Sequence, residues 1–269
     1  MSETQSMPTR SDSPAPASSA VAVAAARAFA YRFLSETFAY PEAEGWAWAQ
    51  AKETGETLTR AVADAWPDRP EIREAAEEAA CALRAVSLEA ARADHLRAFG
   101  YTIRGACPPH EIEYGDTKAD ALFRPHRLAD LASLYRVFGL EMREEIRERL
   151  DHLAIECEFA SLLAARTAHA AQEGHAEGRE SCESAWKLFL GEHLGRWTPS
   201  FVSRLGRGGI APWLQRAAAL LMTIIRAECA ALGLQPGSAE IELVSYDEDD
   251  DAFCAEKCGL PVGRTDGTP

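Results

Sequence analysis

Apolar residues recur at three- and four-residue steps through almost the whole chain, and this period constrains the fold more than any other feature. Val23, Ala26, Phe29, Ala30, Phe33 and Leu34 form one such stripe. Leu128, Leu131, Leu134, Tyr135 and Phe138 form a second. Spacing of this kind lines one face of an α-helix and cannot line one face of a strand. Alanine is abundant, while glycine and the β-branched residues are not, which favours helix over sheet. Only IELVSY, 241–246, reads as a short strand. The expected fold is therefore all-α, about nine to eleven helices around one core.

The punctuation divides the chain. Residues 1–19 are rich in Ser, Pro and Thr and are expected to be disordered. Helical pattern then runs from about Ser19 to Tyr40, closed by Pro41, and continues over 42–53, 56–66 and from Pro70 onward. LEAARADHLRAFG stops at Gly100, and the stripe through Phe138 stops at Gly139. A short charged helix, EMREEIRERL, precedes the helix of DHLAIECEFASLLAARTAHAA. GHAEGRE reads as a linker, and TPSFVSRL as a short helix with Thr198 as N-cap and Pro199 in its first turn. The all-helical domain is expected over 20–235, with a hinge near 139–150 and an acidic, mostly irregular tail over 236–269.

Composition narrows the function. The net charge of −14 leaves no basic footprint for nucleic acid and suits a basic partner, such as a peptide carrying arginines. Seven cysteines, odd in number and irregular in spacing, do not make a disulfide framework, so a reducing cytoplasm is expected. The run over 18–30 is too short and too weakly flanked for an export signal. The long run 210–234 contains Arg216, Arg226 and Glu228, which indicates a buried core helix and no membrane insertion.

Residues 101–121 break the helical rhythm, and within them CPPHEIEYG, 107–115, crowds a thiol, two prolines, an imidazole, two carboxylates and a phenol. A long unpatterned segment inside a helical domain points to function. Three chemistries compete for it. Cys107, His110, Cys254 and Cys258 could bind metal or sense redox state, but Pro108 and Pro109 stiffen the first pair and no spacing joins the two pairs. Asp151, His152, Glu156 and Glu158 could form an acid/base set, and a hydrolase would use His152 with Glu158 in a deep pocket. No nucleophile motif or phosphate loop accompanies them, and Asp151 also reads as a helix N-cap. Peptide recognition fits best. Pro108 and Pro109 limit flexibility, Tyr114 offers contact area, and Glu111 and Glu113 offer an acidic rim to guanidinium groups.

Four segments carry a family resemblance: CPPHEIEYG, LADLASLYRVFGL, DHLAIECEFASLL and FLGEHLGRWTPSF, in this order and with these gaps. Together they resemble the TorD/DmsD/NarJ group of cytoplasmic chaperones for molybdenum enzymes. The similarity is greatest to the branch serving type II dimethyl-sulfoxide-reductase-like enzymes, such as dimethylsulfide, ethylbenzene, selenate and chlorate enzymes. The resemblance implies an all-helical fold, no catalysis and no cofactor of its own. It implies binding of a molybdopterin-containing catalytic subunit precursor, often at its twin-arginine signal peptide, while cofactor is inserted and export delayed. The implied client-binding residues are Pro108, Pro109, Glu111, Tyr114, Asp151, His152, Glu156 and Glu158, and Glu113 and Tyr135 are expected to join them. Relatives often place a proline just before the aspartate-histidine pair, where this chain has Arg149-Leu150. A monomer is expected, with exchange of halves between chains as the dimeric alternative.

Overall fold

The computed structural model describes residues 16–100, 107–115, 124–141, 148–207 and 209–244. Ten α-helices lie within them: α1 (Pro16–Phe38), α2 (Ala43–Gln50), α3 (Lys52–Ala65), α4 (Pro70–Arg84), α5 (Leu88–Phe99), α6 (Arg124–Val137), α7 (Leu153–Gln172), α8 (Ala176–Phe189), α9 (Gly195–Arg207) and α10 (Pro212–Leu232). The fold is all-α, as the apolar period requires. α1 lies along α7, with α3 also packed against it, and α10 packs on α4 and α9. Phe33, Leu34 and Phe38 of α1 and Leu220, Leu221 and Ile224 of α10 are fully buried.

Helix ends follow the local chemistry. Pro70 and Pro212 open α4 and α10, where a missing N–H costs nothing. Ser87 caps α5 by accepting the Ala90 N–H, and Gly233 ends α10 in the left-handed region at φ 67°. The ionisable groups of α10 are also accounted for. Arg216 and Arg226 face solvent, while buried Glu228 accepts from Arg27 Nε at 2.7 Å and from Trp186 Nε1 at 3.2 Å. No described helix is long and apolar enough to cross a membrane.

Several boundaries differ from the expectations. α1 begins at Pro16, ahead of the start read at Ser19. GHAEGRE is not a linker: α8 starts at Ala176, because the His175 ring accepts the Gly178 N–H and caps it. TPSFVSRL is not a separate helix. A π-helical turn, Leu190–Leu194, joins α8 to α9, and Thr198 and Pro199 lie inside α9. Thr198 caps nothing; its hydroxyl donates back to the Leu194 carbonyl. Pro199 is tolerated because the carbonyl it cannot reach, Gly195 O, accepts the Gly237 N–H at 3.0 Å.

That last contact belongs to a strap. Residues 236–244 lie against α9: Ser200 Oγ and Arg204 Nη2 donate to the Ile241 carbonyl at 2.9 and 3.0 Å. The strand read at 241–246 survives as an isolated antiparallel bridge, Tyr114 to Leu243. The first part of the expected tail is thus bound to the helical body. Residues 1–15, half of the expected hinge (142–147), and Cys254 and Cys258 lie outside the described residues.

Candidate functional site

The loop 107–115 is not an open surface loop. Its two prolines carry no N–H, so they tie the loop down through their carbonyls. Pro108 O accepts the Tyr114 hydroxyl at 2.9 Å, which closes the loop on itself. Pro109 O accepts the Leu153 N–H at 2.8 Å, one of the orphan donors at the start of α7. The next amide of α7, Ala154 N–H, is capped by His152 Nδ1 at 3.1 Å. His152, not Asp151, is therefore the N-cap. Asp151 turns the other way: its carbonyl accepts the Glu111 N–H at 2.9 Å and its Oδ2 accepts the Ile112 N–H at 3.1 Å. Loop and aspartate-histidine pair are one backbone-bonded unit, with His110 and His152 bridged and their rings 5.1 Å apart.

The third wall comes from the π-turn and α9. A side chain on Gly195 would overlap the Leu190 carbonyl, so glycine is needed where the turn widens. The turn aims His193 and Arg196 at the same carboxylate. His193 Nδ1 lies 2.9 Å from Glu111 Oε2, and Arg196 Nη2 donates to Oε1 at 3.3 Å. Arg196 also donates to the Tyr114 carbonyl at 3.0 Å. The Tyr114 ring rests on Trp197, centroids 5.1 Å apart, and Trp197 Nε1 donates to Glu156 Oε2 at 3.1 Å.

The expected acidic rim is therefore an acidic interior. Glu111, Glu113, Asp151 and Glu156 are all buried. The physical reason is that their partners belong to the chain itself. Arg149 donates to Glu113 Oε1 at 2.8 Å and to both oxygens of Asp151, at 2.9 and 2.7 Å. Buried carboxylates are tolerated only when paired and bonded in this way.

Protonation follows position. Glu156 is bonded by Trp197 alone among the described residues, and its Oε1 meets no donor there. Burial, followed by the charge of Glu111, pushes its carboxyl well above the usual carboxylate range, which favours the protonated form. Burial, followed by the neighbouring His110, pushes His152 down to about 3, so its ring is neutral. Burial drives the Cys107 thiol up to about 12, far from a reactive thiolate.

Two of the expected residues lie apart from this interior. Tyr135 and Glu158 line a groove of about 840 Å³ between α6 and α7, over a floor of Leu150, Ile155, Phe159 and Leu162. Glu158 is exposed, as are Arg136 and Glu141 on the same rim. Tyr135 joins groove to interior: its hydroxyl donates to the Leu150 carbonyl at 3.1 Å. His152 is not among the residues that line this groove: it is buried, whereas Glu158 is exposed.

The metal reading changes partners. Cys107 faces α9, 3.6 Å from the Phe201 carbonyl, and does not gather with His110. His110 instead gathers with Glu148 and His152, ligand atoms within 4.8 Å of one another. A metal on His152 Nε2 would require a proton on Nδ1 and so break the cap to Ala154. The sequence alone assigns no role to Glu148, His193, Arg196 or Trp197. His193, Arg196 and Trp197 stand inside FLGEHLGRWTPSF, but nothing in a linear pattern reveals which buried carboxylate they meet.

A model of the family described as the nitrate reductase delta subunit matches residues 67–203, just over half of the chain. The chain belongs to the nitrate reductase delta subunit family. The loop, the Asp151–His152 pair, the π-turn and both groove walls fall inside the matched stretch. Among curated relatives of this family member, the selenate reductase assembly chaperone protein of Thauera selenatis is 31% identical over 121 residues, 45% of this chain and 60% of that protein. The chlorate reductase assembly chaperone protein of Ideonella dechloratans is 33% identical over 87 residues, 30% of this chain and 44% of that one. The chaperone protein TorD of Photobacterium profundum is 31% identical over 97 residues, covering 36% and 42%. The alignments span less than two thirds of each relative. They place the delta subunit family member in the TorD/NarJ group and its selenate and chlorate branch, as the four motifs indicated.

Proposed function

We propose that this protein is a cytoplasmic, non-catalytic assembly chaperone for the molybdopterin-containing catalytic subunit of a reductase. It holds the precursor, at its twin-arginine signal peptide or on the unfinished body, while cofactor is inserted and before export. The observation that carries this reading is the groove between α6 and α7. It has an apolar floor, glutamates on its rim, and a family-matched segment on both walls. A leader that combines an apolar run with arginines is complementary to such a surface: the apolar run covers Ile155 and Leu162, and the cationic end meets Glu141 or Glu158. Tyr135, at the groove's edge, transmits occupancy to Leu150 and so to the Asp151–His152 unit.

On this reading the buried residues Pro108, Pro109, Glu111, Glu113, Tyr114, Asp151, His152 and Glu156 serve the client chiefly by fixing the wall against which it docks. The names of the selenate and chlorate relatives support the assembly role, and the net charge of −14 supports a cationic partner. Co-expression with a molybdopterin-containing reductase catalytic subunit, with and without its leader, tests the proposal. A stable complex with either form is expected, and binding to neither would refute it.

A further inference from the structure

We propose that the space between Glu113 and Asp151 is a guanidinium-binding site, filled in the free protein by Arg149 and open to an arginine of the client in its place. Three donors of one planar group are engaged there: Nε and Nη2 on the two oxygens of Asp151, Nη1 on Glu113. That fork matches arginine and not lysine, whose ammonium is a point charge. The acceptors are held independently of Arg149. The Asp151 carboxylate is fixed by the Ile112 N–H, and the backbone that carries Glu113 is fixed in the short 3₁₀ turn Glu111–Glu113.

The occupant is the less anchored half. Arg149 lies on the irregular stretch before α7, and its side chain is 28% exposed against 0% for Asp151 and 3% for Glu113. It therefore stands between solvent and the two carboxylates. It is also the neighbour of Leu150, which lines the groove. A leader lying in that groove would bring its arginines to the mouth of this pocket. Arg149 is then an internal stand-in for the client's side chain, and its occupancy lowers the client's apparent affinity by the fraction of time it holds the site. The client half of this inference rests on the chaperone reading above; the guanidinium half does not.

Two measurements test it. Arg149→Ala is expected to melt at a lower temperature than the parent protein. Millimolar methylguanidinium should restore it, while methylammonium at equal ionic strength should not. Equal effects of the two cations would overturn the site. Should Arg149→Ala fail to fold, Arg149→Lys keeps a charge there and carries the test alone. That variant is expected to bind an arginine-bearing leader peptide roughly tenfold more tightly than the parent, because a lysine forms no fork and yields the site more readily. The gain should vanish when the peptide's arginines are replaced by lysines. Equal affinities of Arg149→Lys and the parent would make Arg149 a structural tie and end the proposal. If the peptide binds to neither protein, the chaperone reading fails while the methylguanidinium result still decides the site.

Discussion

Asp151 Oδ2 accepts the Ile112 N–H at 3.1 Å, so the aspartate of one motif holds the backbone of another 39 residues away. This bond, with Glu111 N–H to Asp151 O and Leu153 N–H to Pro109 O, makes loop and helix start a single unit. Asp151→Asn keeps an acceptor for Ile112 and loses the charge facing Arg149; Asp151→Ala loses both. Equilibrium urea unfolding should rank them parent, Asn, Ala, with the alanine variant lower by about 3–5 kcal/mol, the usual cost of breaking a buried ion pair. Equal stability of the parent and Asp151→Asn would show that the charge contributes nothing, and equal stability of the two variants would show the same of the bond to Ile112.

The raised carboxyl of buried Glu156 predicts a pH effect. Its folded-state carboxyl is raised and its unfolded-state value is ordinary, so the folded protein holds a proton that the unfolded chain gives up. Its contribution to stability is greatest below about pH 4.5 and falls as pH rises toward the folded value. Glu156→Gln retains an acceptor for Trp197 Nε1 and removes the titration. The melting temperatures of parent and variant should converge near about pH 4.5, and the variant should be the more stable at about pH 8. Between the unfolded and folded values, each pH unit costs the parent about 1.4 kcal/mol relative to the variant. A difference that does not change with pH would contradict the assignment.

The strap over 236–244 should be structural. A side chain on Gly237 would overlap the Arg196 carbonyl, so Gly237→Ala must lift the strap or move α9. A loss of about 1–3 kcal/mol is expected, as for other overpacked sites. Limited proteolysis should open new cleavage sites within 236–244. Truncation after residue 235 should be destabilising for the same reason, since Ser200, Arg204 and Gly195 all bond to the strap.

Groove variants separate client binding from folding. Glu158 is exposed, and reversing its charge with Glu158→Arg leaves the core untouched. Stability should change by less than about 0.5 kcal/mol. Affinity for an arginine-bearing client should fall roughly tenfold, as expected when like charges face one another. Fluorescence anisotropy with a labelled leader peptide reads both the parent and the variant.

Much of the fold was legible because helical period and capping are local. Pro70 and Gly100 mark helix ends in the sequence and in the structure alike. The differences arise where a distant group settles a local conflict. GHAEGRE reads as a linker because its glycines weaken a helix, yet the His175 ring caps it. Thr198-Pro199 reads as a helix start because proline forfeits a hydrogen bond, yet the Gly237 N–H, from the strap beyond α10, takes up the freed Gly195 carbonyl. At the site, the motifs contain Glu111, Glu113, Tyr114, Asp151, His152 and Glu156, which do gather, and their carboxylate character suggested exposure. The arginines that bury them, Arg149 and Arg196, come from other segments, and pairing across 36 and 85 residues leaves no periodic trace.

The most direct measurement of the central claim is affinity purification of the tagged chain from cells co-expressing a molybdopterin-containing reductase catalytic subunit, with the parent protein and Glu158→Arg compared. The account predicts a complex with the parent that is strongly diminished with the variant. Equal recovery with both would move the client away from the groove, and recovery with neither, whether or not the leader is present, would contradict the account.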